Sequence, residues 1–574
     1  MISGTIRSGR FSPVPAALAI LVLGASAAPA AAQSIGYGDV SDGGSAMSEP
    51  DGESPRASRP RGQGKTFEVT PYIEAAQVVT ARLSPGDDVV TYSQLSAGVD
   101  GVISGRNTGV AMSVRYTRQF GWGKDTQDGD SISGLVNGYA TVAPGLTVQA
   151  GGLATRSEID NGGTSVPGGS QFDDTATQIY SVYAGPSFAT RAGDATIAAN
   201  YRIGYTRVEQ SDAFVATPGG AAADVFDESV SHVADVEAGV APGTVLPVGL
   251  GGGASYYQED ISNLDQRVRD IQVRGIVTVP VGRTLQATGA VGYEDVEISS
   301  RDALRDADGL PVVGSNGRYV TDKSAPRQIA YDVDGLIWDV GVMWRPSSRT
   351  SLTAHLGRRY GSTSVTGTFS YAPDRRSLLS VAVYDNVAGF GGQLTRSLNS
   401  LPTDFEVVRD PLSGDLRGCV DSLEGSNCLN SALGSVRSST FRARGVSGSY
   451  TVAFGRVSAG IGAGYDRRKF IAAPGTVLAA ANGVIDEAYW MSAFVSKELD
   501  MRSAISGNVY ASWIDSSDAL TGDVTGIGAT AAYNRSLTPH LSASAAVGID
   551  GTKRDDAIDD IWNASALLGV RYSF

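Results

Sequence analysis

His232, His355 and His540 are the only imidazoles in 574 residues, and no two share a metal-ligand spacing. They read as isolated polar positions rather than a zinc site. No G-x-S-x-G elbow stands on a strand-to-helix turn, and no Cys–His pairing is suggested. The stretch "GLGGGASYY", residues 249–257, looks like a dinucleotide loop only in its glycines. No helical pattern and no ribose-binding acid follow it. Glycine beside tyrosine in a strand marks bending or close backbone approach instead. With no catalytic constellation, the chain is not expected to be an enzyme or to hold a cofactor or metal. Cys419 and Cys428, the only cysteines, have eight residues between them in a long polar stretch. In an exported protein this spacing suits one local disulfide pinning a surface loop.

The charged residues that remain need elements to position them. Period two runs through most of the chain. In "TGVAMSVRYTRQF", Thr108, Val110, Met112, Val114, Tyr116 and Phe120 share one face, and Ser113, Arg115, Thr117 and Gln119 the other. "ATIAANYRIGYTR" sets Ile197, Ala199, Tyr201, Ile203 and Tyr205 against Asn200, Arg202 and Thr206. "DGLIWDVGVMWRP" sets Leu336, Trp338, Val340, Val342 and Trp344 against Asp339 and Gly341. Such alternation predicts strands. Short turn signals rich in Pro, Gly, Asn and Asp recur near 106, 143, 191, 242, 281, 347, 374, 455, 500 and 538. Between them lie mostly longer polar segments, 121–131, 157–174, 209–227, 299–328 and 387–437 among them. Short connections on one side and long ones on the other predict an all-β fold: a single antiparallel transmembrane β-barrel of about 22 strands, within 18–24. A soluble β-protein would also alternate. Strand length, aromatics ending the apolar face (Tyr116, Tyr205, Tyr293, Trp344, Tyr360, Tyr572) and a small, polar opposite face favour the membrane barrel. Only a closed barrel leaves no unpaired edge in lipid.

Parity then points Arg115, Arg202, Asp270, Gln272, Arg274, Asp339, His355, Arg359 and Arg571 into the lumen. Turning an arginine into lipid near the midplane would cost about 2–4 kcal/mol. These residues could solvate the lumen and pair across strands, or form a selectivity ring; parity shows direction but not height, and solvation is the simpler reading.

Arg7 and Arg10 precede an apolar run ending in "APAAAQ", so residues 1–32 read as a signal peptide cleaved after Ala32. Losing those two arginines moves the net charge from -14 to -16. That argues against a nucleic-acid partner, which needs a basic face. Residues 33–64 hold almost no bulky apolar side chains and are expected to be a disordered periplasmic segment before a barrel over 65–574. No other stretch approaches the roughly 18 uninterrupted apolar residues of a spanning helix. About thirty low-complexity residues before the first strand argue against a receptor with a folded N-terminal plug.

Residues 344–386 carry Trp344, Pro346, Arg349-Thr350-Ser351-Leu352, Gly357-Arg358-Arg359-Tyr360 and Arg375-Arg376-Ser377. This pattern resembles the repeating core of a family of outer-membrane β-barrel porins associated with exopolysaccharide and PEP-CTERM/exosortase gene clusters in Gram-negative bacteria. "APDRRS" and "VAVYDN" depart from the family's basic turn and serine-rich strand. The resemblance covers about forty residues. It implies an outer-membrane location and an envelope-export context, with polysaccharide export components as partners, and supplies no catalytic residues.

The expected function is a porin-like pore for hydrophilic solutes or exported polysaccharide, with 387–437 constricting or gating it. The alternative is a non-conducting structural or assembly component of an envelope polysaccharide system. The final strand, "NASALLGVRYSF", would place Tyr572 and Phe574 at the periplasmic girdle, against membrane lipid. Its terminal aromatic resembles the signal read by the barrel assembly machinery.

Overall fold

Alternating side chains become ladder partners throughout the computed structural model, which describes residues 66–574 apart from 87, 124–127, 160–164, 168–175, 210–224, 404, 423–427, 519–521 and 555–559. The segments read as signal peptide (1–32) and periplasmic linker (33–64) lie outside the described residues.

The strands are β1 (Thr66–Ser84), β2 (Val89–Ser104), β3 (Thr108–Trp122), β4 (Gly129–Ala143), β5 (Leu146–Ile159), β6 (Ser165–Pro167), β7 (Ala176–Ala192), β8 (Ala195–Glu209) and β9 (Glu228–Val240). They continue as β10 (Gly249–Ile261), β11 (Gln266–Pro280), β12 (Leu285–Ser300), β13 (Gln328–Ser347), β14 (Thr350–Arg359), β15 (Ser362–Tyr371) and β16 (Ser377–Ala388). A long connection then carries helix α1 (Phe390–Asn399), the hairpin strands β17 (Glu406–Arg409) and β18 (Leu416–Asp421), and the single turn α2 (Asn430–Leu433). The wall resumes with β19 (Thr440–Phe454), β20 (Val457–Ile471), β21 (Ile485–Asp500), β22 (Ser503–Ser516), β23 (Val524–Ser536), β24 (Leu541–Arg554) and β25 (Ile561–Ser573).

Leaving aside β6, β17 and β18, 22 antiparallel strands form one ring. The ring closes where β25 pairs with β1, from Tyr72↔Ser573 to Ser84↔Trp562. Closure matters because it removes both edges, so every strand finds partners on two sides. All ten short turns predicted from Pro, Gly, Asn and Asp join consecutive strands on one side of this ring. Gly145, Gly193 and Gly455 take positive φ of 76°, 62° and 62° there, a region side chains resist. No helix among the described residues is long and apolar enough to cross a membrane.

The two faces of the wall differ as the alternation requires. Leu336, Val291, Leu568, Val365 and Val340 stand exposed on the outside. Ser113, Arg115, Thr117 and Gln119 of β3 are buried on the inside. The inner parity is not uniformly polar, however. Leu135, Leu153, Ile159, Ile179, Tyr183 and Val208 are buried inside β4, β5, β7 and β8. What covers them is the connection between β16 and β19.

Candidate functional site: a lumen occupied by its own loop

The connection 389–439 leaves the wall at the long-loop end and folds into the ring. Its helix α1 carries Phe390, Leu394 and Leu398 four residues apart, hence on one face. That face joins Leu135, Leu153, Ile179 and Val208 in a continuous apolar core. Phe390 meets Phe226 edge-on at 5.2 Å.

The wall itself caps the helix. The fully buried Glu259 carboxylate of β10 accepts the N–H groups of Gly389 at 2.6 Å and Gly392 at 2.8 Å. It also accepts Ser229 Oγ at 2.9 Å and Tyr257 Oη at 2.6 Å. A carboxylate at a helix N-terminus satisfies orphan donors and complements the helix dipole. Gly391 and Gly392 lie so close to β9 and β10 that a Cβ would collide with Ser229 Oγ and Tyr257 Oη. Arg396 stacks over the Tyr257 ring at 4.0 Å.

Beyond α1 the loop crosses toward the ring closure. Arg202 Nε donates to Asn399 Oδ1 at 2.6 Å. Asn137 Nδ2 donates to the carbonyls of Leu401 (2.8 Å) and Pro402 (3.2 Å), while Tyr183 Oη donates to Asn137 Oδ1 at 2.6 Å. Arg409 reaches back into the wall, donating to Ser133 Oγ at 2.7 Å and to Ser113 O and Oγ at 2.9 Å. Burial holds its guanidinium below the ordinary pKa, with Tyr72 and Asp100 acting the other way. At the loop tip, Leu412 packs with Ala76, Val78, Tyr92, Ala532, Ala546 and Leu567, on strands flanking the β1–β25 closure. Gln94 Nε2 donates to its carbonyl at 3.2 Å. Asn137 lies just past the middle of β4, and Ala532 further along β23, both toward the short turns. Ala76, Ala546 and Leu567 lie at or near the middle of β1, β24 and β25, so the loop tip reaches about half-way down the ring.

The return limb is equally tied. Thr451 Oγ1 donates to Ser422 O at 2.8 Å, and Arg468 to Ser435 O at 2.6 Å and Ala432 O at 3.2 Å. Arg437 lies 3.1 Å from Asp486. Cys428 is disulfide-bonded and its Sγ sits over Gly462 of β20. The side chain of Cys419 lies outside the described residues.

Of the residues singled out from sequence, Arg115 and Arg202 meet this loop. Arg115 is buried, pairs with Glu74 at 3.2 Å, and lies beneath Gly414. Arg202 also donates to Gln149, and to Ser187 at 3.3 Å. A second group lies on the opposite wall. Arg359 is 2.7 Å from Asp270 and 3.6 Å from Glu294, and Tyr360 Oη donates to Asp270 at 2.9 Å. Gln272 is buried on the face of Asp270, and Arg274 lies 3.7 Å from Glu237. His355 Nδ1 and Asp339 Oδ1 are 2.9 Å apart. Arg571 is 2.7 Å from Asp100 and covers the Tyr72 ring at 3.5 Å. Arg359 ends β14 at the long-loop side, whereas Arg571 is near the short-turn end of β25, so the nine do not lie at one height. At the chain terminus Tyr572 and Phe574 meet edge-on at 5.2 Å, and Phe574 N–H donates to Pro71 O at 3.0 Å.

Glu74, Glu259, Arg409 and the inward apolar patch escaped the sequence reading. The available signal was leucine and isoleucine at the inner parity of β4, β5 and β7, which a purely wet lumen does not require.

No protein-family model matches the chain, and no curated protein matches it. Among solved structures, it is similar to the FrpB iron transporter from Neisseria meningitidis in its apoprotein form, at TM-score 0.43 and 10% identity, covering 88% of this chain and 81% of that one. The closed form of the ferric-catecholate import receptor Fiu from Escherichia coli K12 gives the same four values. The siderophore receptor PiuA from Acinetobacter baumannii gives TM-score 0.38 and 8% identity, covering 88% and 82%.

Proposed function

We propose that the chain is an outer-membrane β-barrel that passes hydrophilic solutes through a lumen narrowed by its own loop 389–439. The inward fold of that loop is the observation that carries the reading. A ring of 22 strands encloses far more space than its wall side chains fill. Some fifty residues of loop, tied to β4, β5, β8, β10, β20 and β21, narrow that space. The apolar outer face and the buried charge pairs inside support a wall between hydrocarbon and water. The resemblance of residues 344–386 to exopolysaccharide-associated porins supports an exported polysaccharide as cargo. Tyr572 and Phe574 suit recognition by the barrel assembly machinery.

Planar-bilayer recording tests the pore. Wild-type protein is expected to show stepwise conductance. A variant with 390–438 replaced by a short Gly-Ser link is expected to show steps enlarged roughly two-fold or more, because the loop no longer occupies the lumen. Silence from both proteins, each showing the strand signature of a folded barrel, would overturn the pore and favour a non-conducting structural role.

A further inference from the structure

The outer face of the ring carries a feature that transport through the lumen does not use. Between β15 and β16 the ladder runs only from Gly367↔Val383 to Tyr371↔Leu379. β15 continues beside β14 up to Arg359↔Ser362, and β16 continues beside β19 up to Ala388↔Phe441. The wall is therefore split in its long-loop half.

Arginines of β19 reach into the split. Arg442 donates to Ser362 Oγ at 2.7 Å and to the Tyr360 carbonyl at 3.3 Å. Arg444 donates to Ser362 Oγ at 2.8 Å and to the Thr363 carbonyl at 3.1 Å. Asp385 of β16 lies beneath both, 2.7 Å from Arg442 and 3.3 Å from Arg444.

These arginines share the outward parity of Val446 and Tyr450, and they face more cations. The register sets Arg444 opposite Arg467 and Arg442 opposite Lys469. Like charges directly opposite across a ladder repel. Glu487 on β21 relieves only Arg467, at 3.3 Å. Arg358 extends the block across the split, since it pairs in register with Thr363, whose carbonyl Arg444 holds. Five cations thus share two carboxylates, and among the described residues neither Lys469 nor Arg358 has an acidic partner. The block is not a general property of this rim. On β12 and β13 the same outer face sets Asp295 opposite Asp334 and Glu297 opposite Asp332.

Height identifies the ligand. Tyr465 and Tyr489 face outward with ring centroids 5.0 Å apart, one rung (about 6–7 Å) nearer the hydrocarbon than Arg467 and Glu487. Trp338 is the register partner of Arg358. Aromatic belts mark the boundary between acyl chains and headgroups. Cations level with such a belt or one rung above it stand close to the lipid phosphates, where anionic surfaces attract them.

We propose that Arg444, Arg467 and Lys469, with Arg358 across the split, bind the phosphate of a phosphorylated glycolipid in the surrounding leaflet. The site rests on the outer-membrane reading. Its test uses folded protein in neutral detergent, whose thermal unfolding does not depend on cellular location; membrane fractionation of cells tests location separately.

Unfolding is followed by far-UV circular dichroism with diphosphoryl lipid A, its dephosphorylated counterpart, or inorganic phosphate at matched phosphorus. The wild type is expected to gain about 5 °C with diphosphoryl lipid A and little with the other two. R467Q/K469Q is expected to lose at least half of that gain. R358Q, outside the like-charge ladder, should lose a smaller part and serves if the double variant does not fold. R267Q, on the outer face of β11, should keep all of it. No gain in the wild type, an equal gain from dephosphorylated lipid or inorganic phosphate, or an undiminished gain in the folded variants would overturn the proposal.

Discussion

Arg359 is almost fully buried between Asp270 and Glu294, and the ring of Tyr360 lies 4.5 Å from its guanidinium. Its meaning lies in that company. Removing the cation alone would leave two carboxylates facing each other with little water. Breaking a buried pair this way costs about 3–5 kcal/mol. R359Q is therefore expected to lower the thermal midpoint clearly, whereas D270N/R359Q, which removes a negative charge as well, should recover part of the loss. Equal midpoints for wild type and R359Q would refute the pairing. At this scale the sequence showed direction only. Alternation turns Arg359 away from Leu356, but Asp270 and Glu294 belong to strands far away in sequence, and no local pattern names them. Arg115 meets Glu74 across the β1–β2–β3 meander, whereas Arg571 and Asp100 meet only because the ring closes.

At the scale of elements, the wall was legible and its content was not. Strands repeat every two residues and turns need particular residue types, so both are local signals, and the ten short turns fall where Pro, Gly, Asn and Asp cluster. Loop 389–439 carries only one short period, the four-residue spacing of Phe390, Leu394 and Leu398. Its docking depends on a patch assembled from four strands, Leu135, Leu153, Ile179 and Val208. The length and polarity of the segment suggested a constriction; they could not show α1 seated on Glu259. That seat makes a prediction. Gly392 has no room for a side chain against Tyr257. G392V should unseat α1 while leaving the ring closed, since no wall ladder includes Gly392. The measurement is single-channel recording, where the variant should give larger or noisier steps than wild type. E259Q, which keeps the shape but weakens the charge-assisted cap, should change the steps in the same direction and by less. Wild-type traces from G392V would mean that α1 does not narrow the lumen.

For the whole molecule, ring and loop solve each other's problem. A closed sheet satisfies its backbone, so apart from the split between β15 and β16 the ring needs nothing inside it to complete its hydrogen bonds. Its inner face nevertheless carries apolar residues that water would meet if the lumen were empty. Conversely, α1 has ten residues, too few to be a stable helix in water by itself, and its apolar face needs a surface. Covering Leu135, Leu153, Ile159, Ile179 and Val208 with Phe390, Leu394 and Leu398 removes apolar area on both sides, at roughly 25 cal/mol per Å². Replacing 390–438 by a short link should therefore leave a folded ring that resists heat less than the wild type. Far-UV circular dichroism should show the strand signal retained at 25 °C and lost at a lower temperature. Substituting Leu135, Ile179 and Val208 by threonine in the shortened chain should restore little of the lost stability but reduce aggregation, since the exposed patch is gone. The same three substitutions in the full-length chain should destabilise it, because there they face Leu394 and its neighbours rather than water. If instead the shortened ring melted at the wild-type temperature, the loop would be a passenger in the lumen and its apolar contacts with the wall would contribute nothing to holding the barrel together.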